Sequence, residues 1–186
     1  MALAQTVLIT AEDYRLLPET GPRYQLVEGE LYLAPAPKRR HQEISLNLEA
    51  ILLHYLESHP IGRMYHAPFD VYLTEHNVLQ PDLLFIANER LPILTDDGAA
   101  GAPNFIVEIL SPSTARLDRH TKRKVYAATG VEELWLVNPD TRTIEVFFLQ
   151  KDPERPAATY QVPATFVSPM FPGLTFNAAA IFKQDP

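Results

Sequence analysis

"VLQPDLLFIA" occupies residues 78–87, and the fold turns on how it is read. Leu83 to Ala87 is an unbroken apolar run, the pattern of a strand covered on both faces. Pro81 stands at its mouth, where a missing N–H is tolerated at a strand's first residue. Asp82 comes next, and a carboxylate aimed into a core is costly without a partner. A second run, "NFIVEILSPS" (104–113), repeats the puzzle, with Glu108 between Val107 and Ile109. If the two strands are neighbours, both acids can share one face. Two carboxylates there repel, and a hard divalent cation such as Mg²⁺ removes the problem. On the residues alone, the alternative is that Asp82 caps a turn and Glu108 makes a buried ion pair.

Outward from these runs, the chain alternates periods. "TAEDYRLLPE" (10–19) predicts a short helix with Thr10 as N-cap. Tyr24–Val27 and Leu31–Ala34 flank "EGE" as a hairpin. From His41 to Ser58, Ile44, Leu48, Ile51, Leu52, Tyr55 and Leu56 recur at helical spacing. Strands are expected in "RMYHAPFDVYLT" (63–74), 78–87 and "NFIVEIL" (104–110), then a helix over 114–129 stopped by Gly130. "ELWLVN" (133–138) and "TIEVFFL" (143–149) follow as strands around a tight "PDTR" turn. The expectation is an α/β fold: a mixed sheet flanked by helices, with an N-terminal hairpin and a short-strand C-terminal tail. One domain over 1–186 is expected, with its core at about 22–150 and a Pro-rich extension over 151–186.

Composition narrows the function classes. The 186 residues include no cysteine, which excludes a disulfide framework, a thiolate metal site and a Cys nucleophile. That fits a reducing compartment, and a cytoplasmic protein is expected. The opening residues carry no basic, apolar leader, and no segment has the ~20 apolar residues of a membrane span. Net charge is −7, against a protein coated by nucleic acid, yet "KRRH" (38–41) and "RLDRHTKRK" (116–124) are locally basic. Such patches can grip phosphates, or can simply be solvated faces.

The helix after Glu108 brings the cations. Asp118, Lys122 and Tyr126 are spaced by four and share a face. If that face packs on the sheet, Lys122 approaches the acids and can stabilise transition-state charge. A rival stripe through Leu117, Thr121, Val125 and Ala128 would leave Lys122 exposed and bring Lys124 closer. Periodicity leaves both open.

"QPDLLF" followed by "GAPNFIVEILSPSTARLDRHTKRKVYAATGVEELWLVNP" resembles the bacterial Uma-type family, within the PD-(D/E)xK restriction-endonuclease-like superfamily of nucleases. "RYQLVEGELYLAPAPKRRHQEI" is similar to the front of the same family, so the resemblance runs from about 8 to 150. It implies a core sheet with a helix on each side, and a DNA endonuclease using Mg²⁺ or Mn²⁺. It implies metal ligation by Asp82, Glu108 and the carbonyl of Ile109. The superfamily's basic pattern has a lysine two residues after the second acid, where this chain has Leu110. The family's Asp-Arg-x-x-Lys segment selects Lys122 in its place. A glutamate common near the first strand of the family is Gln25 here, leaving Glu28 or Glu30 as substitutes. Members of the superfamily often dimerise, and the apolar "FVSPMFPGLTF" (166–176) is a candidate homodimer surface. A catalytically inactive module that binds nucleic acid or protein on the same fold is the alternative.

Other residues carry weaker signals. His41 opens the long helix and can touch a phosphate. Tyr126 can hydrogen-bond near the acids. Ser111 and Ser113 lack a nucleophile elbow and suit turn and cap roles. Trp135, amid Leu134, Leu136 and Val137, is a core residue by pattern. The seven scattered glycines form no phosphate loop.

Overall fold

Thr10 opens the first element of the computed structural model, which describes residues 8–18 and 20–183. Its hydroxyl accepts from Asp13 N and the Asp13 carboxylate accepts from Thr10 N, a reciprocal cap on α1 (Ala11–Arg15). The hairpin follows as β1 (Tyr24–Val27) and β2 (Glu30–Leu33). Its turn residues Glu28 and Gly29 both have positive φ, 51° and 80°, which matches the twist of the flanking strands. α2 (Arg39–Ser58) buries Ile44, Leu48, Leu52 and Tyr55 along one stripe.

β3 (Gly62–His66), β4 (Val71–Thr74), β5 (Asn77–Leu79) and β6 (Leu83–Ala87) come next. The short pair β7 (Leu94–Thr95) and β8 (Gly98–Ala99) precedes β9 (Phe105–Ile109). A π-helical segment, Leu117–Lys122, runs into α3 (Arg123–Thr129), which ends at Gly130 with φ 99°. The chain continues through β10 (Glu133–Asn138), β11 (Thr143–Phe148), β12 (Ala158–Gln161), β13 (Thr165–Val167), β14 (Thr175–Asn177) and α4 (Ala178–Ile181).

The strands form two six-stranded sheets and one hairpin. The first sheet has the order β2-β1-β5-β4-β8-β7, the second β12-β11-β10-β9-β6-β3, and β13 pairs with β14. Helices flank the sheets, as the α/β pattern predicts, and a second six-stranded sheet stands beside the mixed sheet expected. The reason lies in 78–87, which is two strands and not one. β5 belongs to the first sheet and β6 to the second, and Gln80-Pro81-Asp82 carries the chain between them. Proline has no N–H to continue a ladder, so the strand breaks there. The stretch 63–74 divides in the same way, at residues 67–70.

The second sheet is covered on both sides. Leu83, Phe85, Phe105, Val107 and Ile109 face α2 and the C-terminal tail. Leu84, Ile86, Ile106 and Leu110 face α3 and the first sheet. This alternation puts Asp82 and Glu108 by parity on the α3 side. β9 and β10 are parallel, and the crossover between them is the helical segment that carries Lys122.

The tail departs from expectation. Phe166, Phe171 and Phe176 are buried and pack against Trp135, Phe105 and one another, so their rings belong to the core, while Val167 in the same segment is exposed. The 151–186 segment does supply the expected short edge strand, with β12 closing the second sheet. Glu133, fully within this core, accepts from Trp135 Nε1 at 2.6 Å and from Ser168 Oγ at 2.8 Å. That carboxylate ties the tail to the central strand. Among the described residues, no helix is long and apolar enough to cross a membrane.

Candidate active site

β6 and β9 pair antiparallel, with Leu83 opposite Val107 and Leu84 opposite Ile106. One step further along that register, Asp82 comes opposite Glu108. Both are on the α3 face, so the two carboxylates stand side by side at the end of the shared ladder. Asp82 Oδ2 accepts the Ile109 N–H at 2.6 Å, which locks it against the strand carrying Glu108. This answers the cost of an acid at the strand's mouth: Asp82 completes the ladder that Pro81 interrupts.

Glu108 is only 3 % exposed, and Oε1 accepts from Lys122 Nζ at 3.2 Å and from Tyr126 OH at 2.5 Å. Lys122 Nζ also lies 2.9 Å from Asp118 Oδ1, an ion-pair contact outside hydrogen-bond directionality. The π-helical turn carries Asp118 and Lys122, and α3 carries Tyr126; all three are buried. π turns recur at functional sites, where the wider turn re-aims side chains.

Electrostatics follow from burial. Desolvation pushes the Glu108 carboxyl up to about 8, with Asp118 and Asp82 adding to the rise, while Lys122 and Tyr126 oppose it. Burial alone would strip the charge from Lys122, but Glu108 and Asp118 outweigh it and raise its pKa. The Tyr126 hydroxyl is also raised by burial and by Glu108, so it remains a donor.

His41, in the first turn of α2, reaches over from the other layer. Its Nε2 is 3.2 Å from Asp82 Oδ2. Burial disfavours its charged form, but Asp82 and the Ile109 carbonyl more than compensate and its pKa is raised. Asp82, Glu108, Ile109, Asp118, Lys122, His41 and Gln25 all line one pocket of about 920 Å³.

The family model described as "Putative restriction endonuclease", Uma2, matches residues 11–179, nearly the whole chain. The chain belongs to the Uma2 family. A solved structure of a "putative nuclease belonging to DUF820" from Anabaena variabilis superposes with a TM-score of 0.78 at 23 % identity. The likeness covers 94 % of this chain and 97 % of that one, and it concerns the fold. No curated protein matches.

Within this Uma2 chain, the rival helical stripe fails. Lys124 is exposed and outside the pocket, whereas Lys122 is 2 % exposed between two carboxylates. Leu110 is buried in the α3-side core, so no lysine reaches the acids from β9. Glu30 is exposed and accepts from Tyr32 OH, and Glu28 is exposed in the hairpin turn; neither lines the pocket. Gln25 does line it, and its Oε1 accepts from Gln80 N at 3.0 Å. Gln80, another lining residue, carried a signal that the sequence reading missed: a polar residue directly before Pro-Asp. Of the basic run 116–124, Lys122 and Arg123 are buried, and Arg119 pairs with Glu145 at 2.6 Å. That run is therefore mostly consumed internally.

The donor set fits a hard cation. Among the described residues, no group of three or more His, Asp or Glu side chains is arranged as a metal site. The donors available are two adjacent carboxylates and a main-chain carbonyl. This sparse oxygen set is the kind that Mg²⁺ uses while keeping several waters. Asp82, Glu108 and Asp118 share the pocket with Lys122, Arg23, Lys38 and Arg40.

Proposed function

We propose that this chain is a divalent-metal-dependent DNA endonuclease that hydrolyses phosphodiester bonds in the pocket above Asp82 and Glu108. Asp82, Glu108 and the Ile109 carbonyl would hold Mg²⁺ or Mn²⁺. When bound, such a cation lowers the pKa of water and offsets charge on the phosphoryl and leaving oxygens. The observation that carries this reading is the pairing of Asp82 and Glu108 across one ladder, on one face, in one pocket with Lys122.

Each side chain has a distinct part. Lys122, held cationic by Glu108 and Asp118, offsets the negative charge that builds on the phosphoryl oxygens. Asp118 fixes the lysine, and Tyr126 holds Glu108 in one rotamer through its hydroxyl. His41 sets its Nε2 3.2 Å from Asp82 Oδ2 and steadies that carboxylate, while its buried Nδ1 has no hydrogen-bond partner among the described residues.

The test is nicking of supercoiled plasmid DNA with Mg²⁺ or Mn²⁺. Nicking by the wild type that vanishes with EDTA and in Asp82→Ala supports the reading. Equal activity in Asp82→Ala removes it. One observation favours a second reading, a non-hydrolytic nucleic-acid-binding module: Leu110 stands where the superfamily's basic pattern has lysine, and it is packed in the core. That module predicts DNA binding without any divalent-dependent cleavage.

A further inference from the structure

The pocket above Asp82 and Glu108 has two kinds of cation in its lining. Lys122 and Arg40 are already engaged: Lys122 Nζ lies 3.2 Å from Glu108 and 2.9 Å from Asp118, and Arg40 Nη1 is 3.7 Å from Asp140. Arg23 and Lys38 also line the pocket, and both are exposed. Among the described residues, no carboxylate is at ion-pair distance from either of them.

Local structure brings these two free cations to one end of the pocket. Arg23 directly precedes β1, and its carbonyl accepts the Ala34 N–H at 2.8 Å, which closes the hairpin on the first residue of the link to α2. That link is Ala34-Pro35-Ala36-Pro37, and its two prolines fix φ. Lys38 follows as the N-cap of α2 and makes no side-chain capping bond, so its amino group stays available.

The rest of the rim carries no free cation. Residues 111–114, after β9, contribute hydroxyls and a proline, and Pro139 and Asp140, after β10, contribute a ring and an acid. On a chain of net charge −7, unpaired positive charge at this pocket is confined to the junction of the hairpin and α2. A duplex presents two phosphate backbones, and only one of them would find cations here. Glu108 is 3 % exposed, so a phosphate has to enter the pocket to reach it, which a flexible single strand does without unpairing.

We infer that Arg23 and Lys38 form a phosphate subsite at the mouth of this pocket, gripping one DNA strand beside its scissile phosphate, and that the substrate is single-stranded DNA in preference to duplex. Arg23 offers paired N–H donors to a phosphodiester, and Lys38 offers a point charge. The choice of strand rests on the nuclease reading above; the anion subsite rests on the two unpaired cations. The subsite positions the substrate and takes no part in bond cleavage.

The test is fluorescence anisotropy of a fluorescein-labelled single-stranded oligonucleotide and its duplex, titrated in EDTA across a salt series. The wild type is expected to bind the single strand more tightly. Arg23→Gln and Lys38→Gln are each expected to weaken single-strand binding several-fold at low salt and to lower the salt slope by about 0.7. Both side chains are exposed and unpaired, so the fold tolerates their loss, and unchanged urea midpoints check this. Lys124→Gln makes the same charge change on an exposed lysine outside the pocket and is expected to keep wild-type affinity and slope. Wild-type slope in the Arg23→Gln, Lys38→Gln double variant, an equal loss in Lys124→Gln, or salt-independent binding by the wild type would overturn the subsite. Duplex bound as tightly as single strand would overturn the strand preference. A lowered slope in the variants without divalent-dependent cleavage by the wild type removes the nuclease reading and leaves the subsite. Cleavage with an unchanged slope does the reverse.

Discussion

The Asp82 carboxylate accepts the backbone N–H of Ile109 at 2.6 Å, so the first acid is tied to the residue directly after the second. That bond holds the Asp82 carboxylate against the strand that carries Glu108. It also separates two roles of Asp82: acceptor for the ladder and anion for the pocket.

Asp82→Asn and Asp82→Ala should therefore differ. Asparagine keeps an acceptor for Ile109 N, and its stability in urea should stay within about 1 kcal/mol of wild type. Alanine leaves that amide unpaired and should cost about 1–3 kcal/mol. Both should lose Mn²⁺ binding by calorimetry.

Lys122 compensates two buried acids, and Lys122→Met should destabilise the fold by about 3–5 kcal/mol at neutral pH. With the lysine gone, the folded-state pKa of Glu108 rises further above its unfolded value. A raised carboxyl stabilises below the unfolded pKa and loses that contribution as pH rises through the folded one. Urea titrations of Lys122→Met should thus show stability recovering as pH falls from neutral. A deficit independent of pH would place the loss in packing.

Metal affinity should depend on pH in a defined direction. Glu108 without a cation has its carboxyl pushed up to about 8, so binding a cation at neutral pH releases a proton. Mn²⁺ affinity should rise up to about tenfold per pH unit below that point and level off above it. Calorimetry in buffers of different ionisation enthalpy reads the released proton directly.

The tail aromatics are part of the core, and Phe171→Ala should cost about 3–5 kcal/mol by urea denaturation. Glu133→Ala strands the Trp135 N–H and the Ser168 hydroxyl and should cost about 1–3 kcal/mol. Glu133→Gln should differ from wild type in its pH profile. Burial raises the Glu133 pKa, so the wild type loses stability from this group as pH rises, and the glutamine variant does not.

Local patterns carried much of this into the sequence. The α2 stripe, the Thr10 cap, the Gly130 stop and the hairpin turn are set by neighbouring residues, and each is found where spacing and turn chemistry put it. The anomaly of Asp82 and Glu108 in apolar runs was legible because burying a charge is costly enough to require a reason. Lys122 against Lys124 was not legible from periodicity, because the helix there is π-wound and departs from a 3.6-residue repeat. The second sheet was hidden because Pro81 breaks a run that looks continuous, and partners such as β1 and β5 meet only in the folded chain. The tail's proline content suggested a peripheral extension, but three phenylalanines commit it to the core.

The most direct measurement is the anomalous signal of a crystal soaked in Mn²⁺. The account predicts one peak at coordination distance, about 2.0–2.2 Å, from oxygens of Asp82, Glu108 and the Ile109 carbonyl, absent in Glu108→Ala. A soaked crystal with no peak in that pocket, or with manganese elsewhere and the His41–Asp82 contact intact, would contradict it.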